Sequence, residues 1–97
     1  MSFVQIIEYR TSDPDGMRAA DEEWRTASEG KRTARRAITT RDRNDPNRYL
    51  TIVFFDSYES AMENSNLPET AKAAAAFQQH SDGPPTFHDL DVIDDES

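Results

Sequence analysis

Apolar residues alternate with others along two stretches of this chain and recur at helical spacing along two more. Phe3 to Arg10 is β-branched and aromatic and stops at Thr11-Ser12-Asp13-Pro14, which predicts a first strand. Met17, Ala20, Trp24 and Ala27 then fall on one face of a first helix, which Asp13 or Asp15 would cap and Gly30 would end. Residues 34–42 predict a second strand and Asn44-Asp45-Pro46-Asn47 a turn. Arg48 to Phe55, the most apolar stretch, predicts a third strand. Asp56 with Glu59 forms a capping-box pattern opening a second helix. Asn66 with Glu69 repeats the pattern, so Asn64-Ser65-Asn66-Leu67-Pro68 divides that helix into two pieces. The second piece runs to about His80 and stops at Ser81-Asp82-Gly83-Pro84-Pro85. Residues 87–93 predict a fourth strand.

The order βαββαβ is the split βαβ pattern of ferredoxin-like α+β folds. The expected sheet is antiparallel in the order 4-1-3-2, with two helices on one face. Strands 1 and 3 are the apolar ones and belong at the centre. Strand 2 carries Arg35, Arg36, Thr39, Thr40 and Arg41, strand 4 carries Asp89 and Asp91, and charge on an edge deters unwanted pairing.

Both faces of this sheet read as apolar. Leu50, Ile52 and Phe54 share one face of strand 3, and Tyr49, Val53 and Phe55 the other. Val4 and Ile6 oppose Phe3, Ile7 and Tyr9 on strand 1. Two helices cover one face only, and an antiparallel sheet with a wet side should carry polar residues there. A second copy of the chain is the economical cover, giving a twofold homodimer. Tyr9 and Tyr49 are then expected to face the dimer interior.

Composition narrows the function classes. The 97 residues suggest one domain, 1–97, with an acidic tail at about 94–97. Cysteine is absent, which removes disulfides and thiol catalysis and fits a cytoplasmic protein. No apolar run reaches the length of a membrane span. The net charge of −8 disfavours nucleic-acid and anionic-lipid partners. That charge is uneven: seven basic and two acidic residues lie between Lys31 and Arg48, whereas Asp89 to Glu96 holds five acids and no base. The basic edge at strand 2 is therefore expected to meet the partner's acidic strand 4 and tail.

Familiar catalytic motifs are missing. With three glycines there is no GxGxxG, Walker loop or G-x-S-x-G elbow, and two histidines without cysteine give no zinc pattern. What remains is a scatter of candidates. Asn64 and Asn66 either donate to a ligand at the mouth of a pocket beneath the second helix or serve as caps at a joint. Trp24 either stacks on a substrate or packs in the core. His88, early in strand 4, is a candidate proton acceptor or a solvent-facing residue. His80, near a helix C-terminus, reads as structural. Arg10, Arg36 and Arg48 could hold an anionic group or simply solvate the sheet. The alanine run Ala73 to Ala76 lets a helix lie close to its neighbour or leaves room for a flat ligand.

The element order, the two-faced sheet and the segments "FVQIIEYRTSDPDGM", "LTIVFFDSYESAMENSNLPET" and "GPPTFHDLDV" resemble the dimeric α/β barrel superfamily, and within it the antibiotic biosynthesis monooxygenase group. The resemblance covers nearly the whole chain. It implies a homodimeric barrel, and in some members the cofactor-independent oxidation of aromatic polyketides by molecular oxygen. Taken with the residues weighed above, the expected site has Asn64 and His88 as catalytic candidates and Tyr9, Trp24, Arg36, Phe55 and Asn66 around a ligand pocket, with no metal and no cofactor. Where the group often has a His pair around the helix break, this chain has Asn64 and Glu69. Where it often has Trp at the end of strand 3, this chain has Phe55. Asn64 in place of an axial His argues against heme. The alternative expectation is a dimeric binder of a small apolar or aromatic molecule, without chemistry of its own.

Overall fold

The computed structural model describes residues 2–96. The elements are β1 (Phe3–Arg10), α1 (Pro14–Ala27), β2 (Arg36–Arg41), β3 (Arg48–Phe55), α2 (Tyr58–Ser65), α3 (Pro68–His80) and β4 (Thr86–Asp91). The four strands form one antiparallel sheet in the order β2-β3-β1-β4, so the apolar strands are central and the charged ones are edges. This is a ferredoxin-like α+β fold.

Local chemistry sets the helix ends, not always as the sequence suggests. Asp13 caps α1: its side chain accepts from Gly16 N–H at 3.0 Å. A Cβ at Gly16 would collide with the Asp13 carboxylate and the His80 ring. α1 ends at Ala27, short of Gly30, because buried Ser28 takes its N–H and hydroxyl back to Trp24 C=O. Ser57, rather than Asp56, caps α2 by accepting from Ser60 N–H at 3.1 Å. Asp56 instead pairs with Arg35. Asn66 closes α2 as its C-cap rather than opening α3. The α3 N-cap is Leu67, which has no side chain able to bond, and Pro68 sits in the first turn where its missing N–H is harmless. The fourth strand ends at Asp91, two residues early, and the second begins at Arg36.

The register sorts the sheet into rows. Toward the helices lie Phe55–Phe3–Asp91, Ala37–Val53–Gln5–Asp89, Thr39–Thr51–Ile7–Phe87 and Arg41–Tyr49–Tyr9. Phe3 and Phe55 are buried there with Ala61 of α2, and Ala34, Val53 and Met62 pack around them. Away from the helices lie Arg36–Phe54–Val4–Leu90, Ile38–Ile52–Ile6–His88 and Thr40–Leu50–Glu8–Thr86. Tyr9 and Tyr49 are therefore on the helix side. The expectation that they face a dimer interior is corrected by the strand parity that also puts Phe3 against α2.

α1 and α3 pack together across the helix side. Thr11, buried, ties the end of α3 to the end of β1: its hydroxyl donates to His80 C=O and accepts from Asp13 N–H at 2.9 Å.

Candidate functional site

The helix side of the sheet is closed at one end and open at the other. The closed end is the Phe3–Phe55–Ala61 cluster. At the open end the floor turns polar. Tyr9 and Tyr49, cross-strand partners, stack with ring centroids 5.6 Å apart and an interplanar angle of 9°. The Tyr9 hydroxyl lies 3.5 Å from Thr51 Oγ1, which lies 3.4 Å from Thr39 Oγ1 on the edge strand. These spacings exceed the 2.7–2.8 Å usual for O–H···O. The hydroxyls form an open row, leaving capacity to bond a further polar group. Half-burial raises the Tyr9 phenol above its ordinary pKa, because desolvation disfavours the phenolate.

α1 lies on α3. Its inward face carries Met17 and Ala20, buried, then Asp21 and Trp24, half-buried. The Asp21 carboxyl is raised above its ordinary value, chiefly by burial, and its charge in turn helps raise Tyr9. Trp24 turns toward α3, where its indole N–H donates to Thr70 Oγ1 at 3.3 Å, and the Arg32 guanidinium sits 5.7 Å from its ring centroid. A hollow of about 60 Å³ between α1 and α3 is lined by Trp24, Glu69 and a set of alanines including Ala73 and Ala76. Organic ligands usually need several times that volume.

The sequence candidates do not converge. Asn64 is buried at 7% exposure and its Oδ1 accepts from Thr33 N–H at 3.1 Å, fastening α2 to the segment before β2. Its C=O accepts from Thr70 Oγ1 at 2.7 Å, bridging the helix break. Asn66 is exposed at that joint. Phe55 is part of the core. Arg36 and His88 project from the opposite face of the sheet. Arg36 stands 5.8 Å from the Phe54 ring centroid. His88 Nε2 lies 3.4 Å from Glu8 Oε1. Glu8 also accepts from Arg48 Nε at 3.1 Å, and Arg48 donates to Asp42 at 2.9 Å. The Arg48 guanidinium first and His88 second hold the Glu8 carboxyl below its ordinary range. Asn64 and His88 thus lie on opposite sides of the sheet, whereas Tyr9 and Trp24 share the helix side.

Asp21, Tyr49, Thr51 and Thr39 complete the helix-side polar end, and of these Asp21, Thr51 and Thr39 went unmarked in the sequence. The signal was present: Asp21 occupies a helical-spacing position between Met17 and Trp24, and Thr51 interrupts the apolar alternation of β3. Among the described residues, no group of three or more His, Asp or Glu could hold a metal ion, and no helix is long and apolar enough to cross a membrane.

No family model matches the chain, and no curated protein matches it by sequence. Solved structures do. A candidate antibiotic biosynthesis monooxygenase from Caulobacter crescentus CB15 superposes with a TM-score of 0.82 at 11% identity, over 96% of this chain and 91% of that one. SnoaB, a cofactor-independent oxygenase from Streptomyces nogalater, gives 0.81 at 12% over 97% and 95%. A further candidate antibiotic biosynthesis monooxygenase, from Chloroflexus aurantiacus J-10-fl, gives 0.75 at 17% over 100% and 98%. Identities this low carry the fold alone: the chain is built on the ferredoxin-like α+β fold of antibiotic biosynthesis monooxygenase-like structures.

Proposed function

We propose that this chain is a homodimeric protein of antibiotic biosynthesis monooxygenase type that promotes cofactor-independent oxidation of an aromatic or polyketide-type molecule by molecular oxygen. The observation that carries the reading is the half-buried Tyr9–Tyr49 stack on the helix side of the sheet. It offers a flat aromatic platform flanked by hydroxyls, in a fold shared with a cofactor-independent oxygenase. For a phenol oxidised to a quinone, one oxygen atom of O₂ joins the ring, the other leaves as water, and the ring supplies all the electrons. The protein's part is then to desolvate the ring, position it and stabilise its anion.

Two features support the dimer. The face away from the helices presents Val4, Ile6, Ile38, Leu50, Ile52 and Phe54 only half-buried, and Leu90 exposed. The chain exposes 6829 Å², against about 5,600 Å² expected for a folded monomer of this mass. A second copy laid on that face would remove the excess.

Another reading keeps ligand binding without the chemistry. It draws on Asn64, whose side-chain oxygen is committed to Thr33, and on His88, committed to Glu8 on the other face. Oxygen consumption separates the two. With a polyhydroxylated anthracene under air, the oxygenase reading expects uptake above the protein-free rate and growth of quinone absorbance. Binding of the anthracene with uptake at the blank rate would leave the binder.

A further inference from the structure

The sheet face away from the helices is apolar at its centre and charged toward one end. Glu8 of β1, Arg48 of β3, His88 of β4 and Asp42, which follows β2, form a chain of contacts there. Asp42 and Glu8 share one guanidinium: Arg48 donates from Nη1 to Asp42 Oδ2 at 2.9 Å and from Nε to Glu8 Oε2 at 3.1 Å. The other Glu8 oxygen, Oε1, faces His88 Nε2 at 3.4 Å, longer than the usual N–H···O range. The His88 side chain is 44% exposed and that of Glu8 31%, so in the isolated chain water still reaches this contact.

Two carboxylates against one guanidinium leave the chain of contacts with one negative charge over, and a protonated His88 cancels it. Other charges on the face do not change that balance. Arg10 is paired with Asp45 at 2.6 Å, and Arg36 lies at the opposite end against the Phe54 ring. Asp89 and Asp91, the acids of β4, lie on the helix side. Covering an unbalanced charge costs more than covering a neutral, hydrogen-bonded group. A second copy on this face would also remove the water that serves Glu8 Oε1, and a protonated His88 supplies a charge-assisted bond in its place.

Resting on the dimer proposed above, we infer that a second copy docking on this face takes up a proton at His88, so that assembly tightens as the pH falls from about 8 to about 6. The carboxylates and arginines of the face keep their charge over that range, whereas a histidine changes its own. The assembled form holds the proton more firmly than the free chain. The added stability is therefore complete at the acid end of the range and is lost as the pH rises. His80, the other histidine of the chain, lies off this face, 2.8 Å from Asp13 at the start of α1.

The test is sedimentation equilibrium of the intact chain at pH 8, 7 and 6 and constant ionic strength. The wild-type dimer dissociation constant is expected to fall roughly tenfold from pH 8 to pH 6, since two histidines titrate per dimer. His88→Gln keeps a hydrogen-bond donor without the titration and should flatten the profile near the wild-type value at pH 8. Glu8→Gln removes the excess charge and should dimerise more tightly than wild type at pH 8, without the gain on acidification. His80→Gln should keep the wild-type slope. A wild-type dimer whose constant is the same at all three pH values, or weakens toward pH 6, overturns the inference and leaves the dimer standing. A slope that survives in His88→Gln, or is lost in His80→Gln, places the proton elsewhere and overturns it as well. A monomer at every pH removes the dimer itself, and this linkage with it.

Discussion

Asn64 and Asp21 are two polar residues under the helices with opposite effects on stability. Asn64, itself buried, accepts from Thr33 N–H at the half-buried junction of α2 with the segment before β2. Asn64→Ala leaves that donor unpaired, and a thermal or urea melt should show a loss of about 1–3 kcal/mol. Asp21 works the other way. Its folded pKa is raised, so the native state favours the protonated form. The stabilisation this gives is complete below the unfolded value and is lost as pH rises through the folded one. At neutral pH the wild type therefore carries a penalty that Asp21→Asn removes. The variant should melt higher than wild type at pH 7, with the difference closing as the pH falls below about 4. A lower melting point for Asp21→Asn at pH 7 would show that the carboxylate is bonded rather than stranded. A residue that costs stability where it stands is a candidate for function. That part of the site was hard to see beforehand, because an acid at a helical-spacing position reads as a surface residue until the sheet beneath it is known. Tyr9 and Trp24 were visible as aromatics, but strand parity alone does not say which face the helices take.

At the scale of elements, alternation and helical spacing were enough to give β1 and β3 their observed bounds and to place the break in the second helical region. Turn chemistry at Asn44–Asn47 and the charge on the outer strands gave the sheet order. One error falls where two capping residues stand side by side. Asp56 and Ser57 both suit an N-cap. Arg35 engages Asp56, and the chain enters α2 in extended conformation at Ser57, which decides between them. Ser57→Ala should therefore destabilise by about 1 kcal/mol, in the range of a lost N-cap. Asp56→Ala, which removes only an exposed pair, should change the melt by less than about half that. The reverse ranking would return the cap to Asp56. Asn66 poses the same problem at the joint: it has the chemistry of a cap, yet Asn64 C=O, bonded by Thr70 and by Leu67 N–H, is what holds α2 and α3 at their angle.

For the whole molecule the decisive quantity is how little the isolated chain buries. Among the described residues the buried apolar side chains are Phe3, Met17, Ala20, Phe55, Ala61 and Ala73, and half of these are alanines. A core that thin is what the proposed dimer would supplement. The face away from the helices offers the means, because the row Ile38–Ile52–Ile6 crosses three strands in register, beside Phe54–Val4–Leu90. Each square ångström of apolar surface covered there contributes roughly 25 cal/mol. The two-faced apolar pattern was legible in the sequence because alternation reports both faces equally. Which residues lie at the centre was not, since that depends on register across strands distant in the chain. The register singles out Ile52, flanked by Ile38 on one side and Ile6 on the other. Sedimentation of the wild type at micromolar concentration should give a particle of twice the 11.0 kDa chain mass. Ile52→Glu puts a charge at the middle of the proposed interface, where a second copy would leave it without water or partner, and should yield monomer. Thr51→Glu, one residue away on the helix side, should leave the dimer intact, so the pair separates an interface effect from a general loss of strand stability. An 11.0 kDa wild-type particle, or equal dissociation by both substitutions, would remove the sheet face as the seat of assembly.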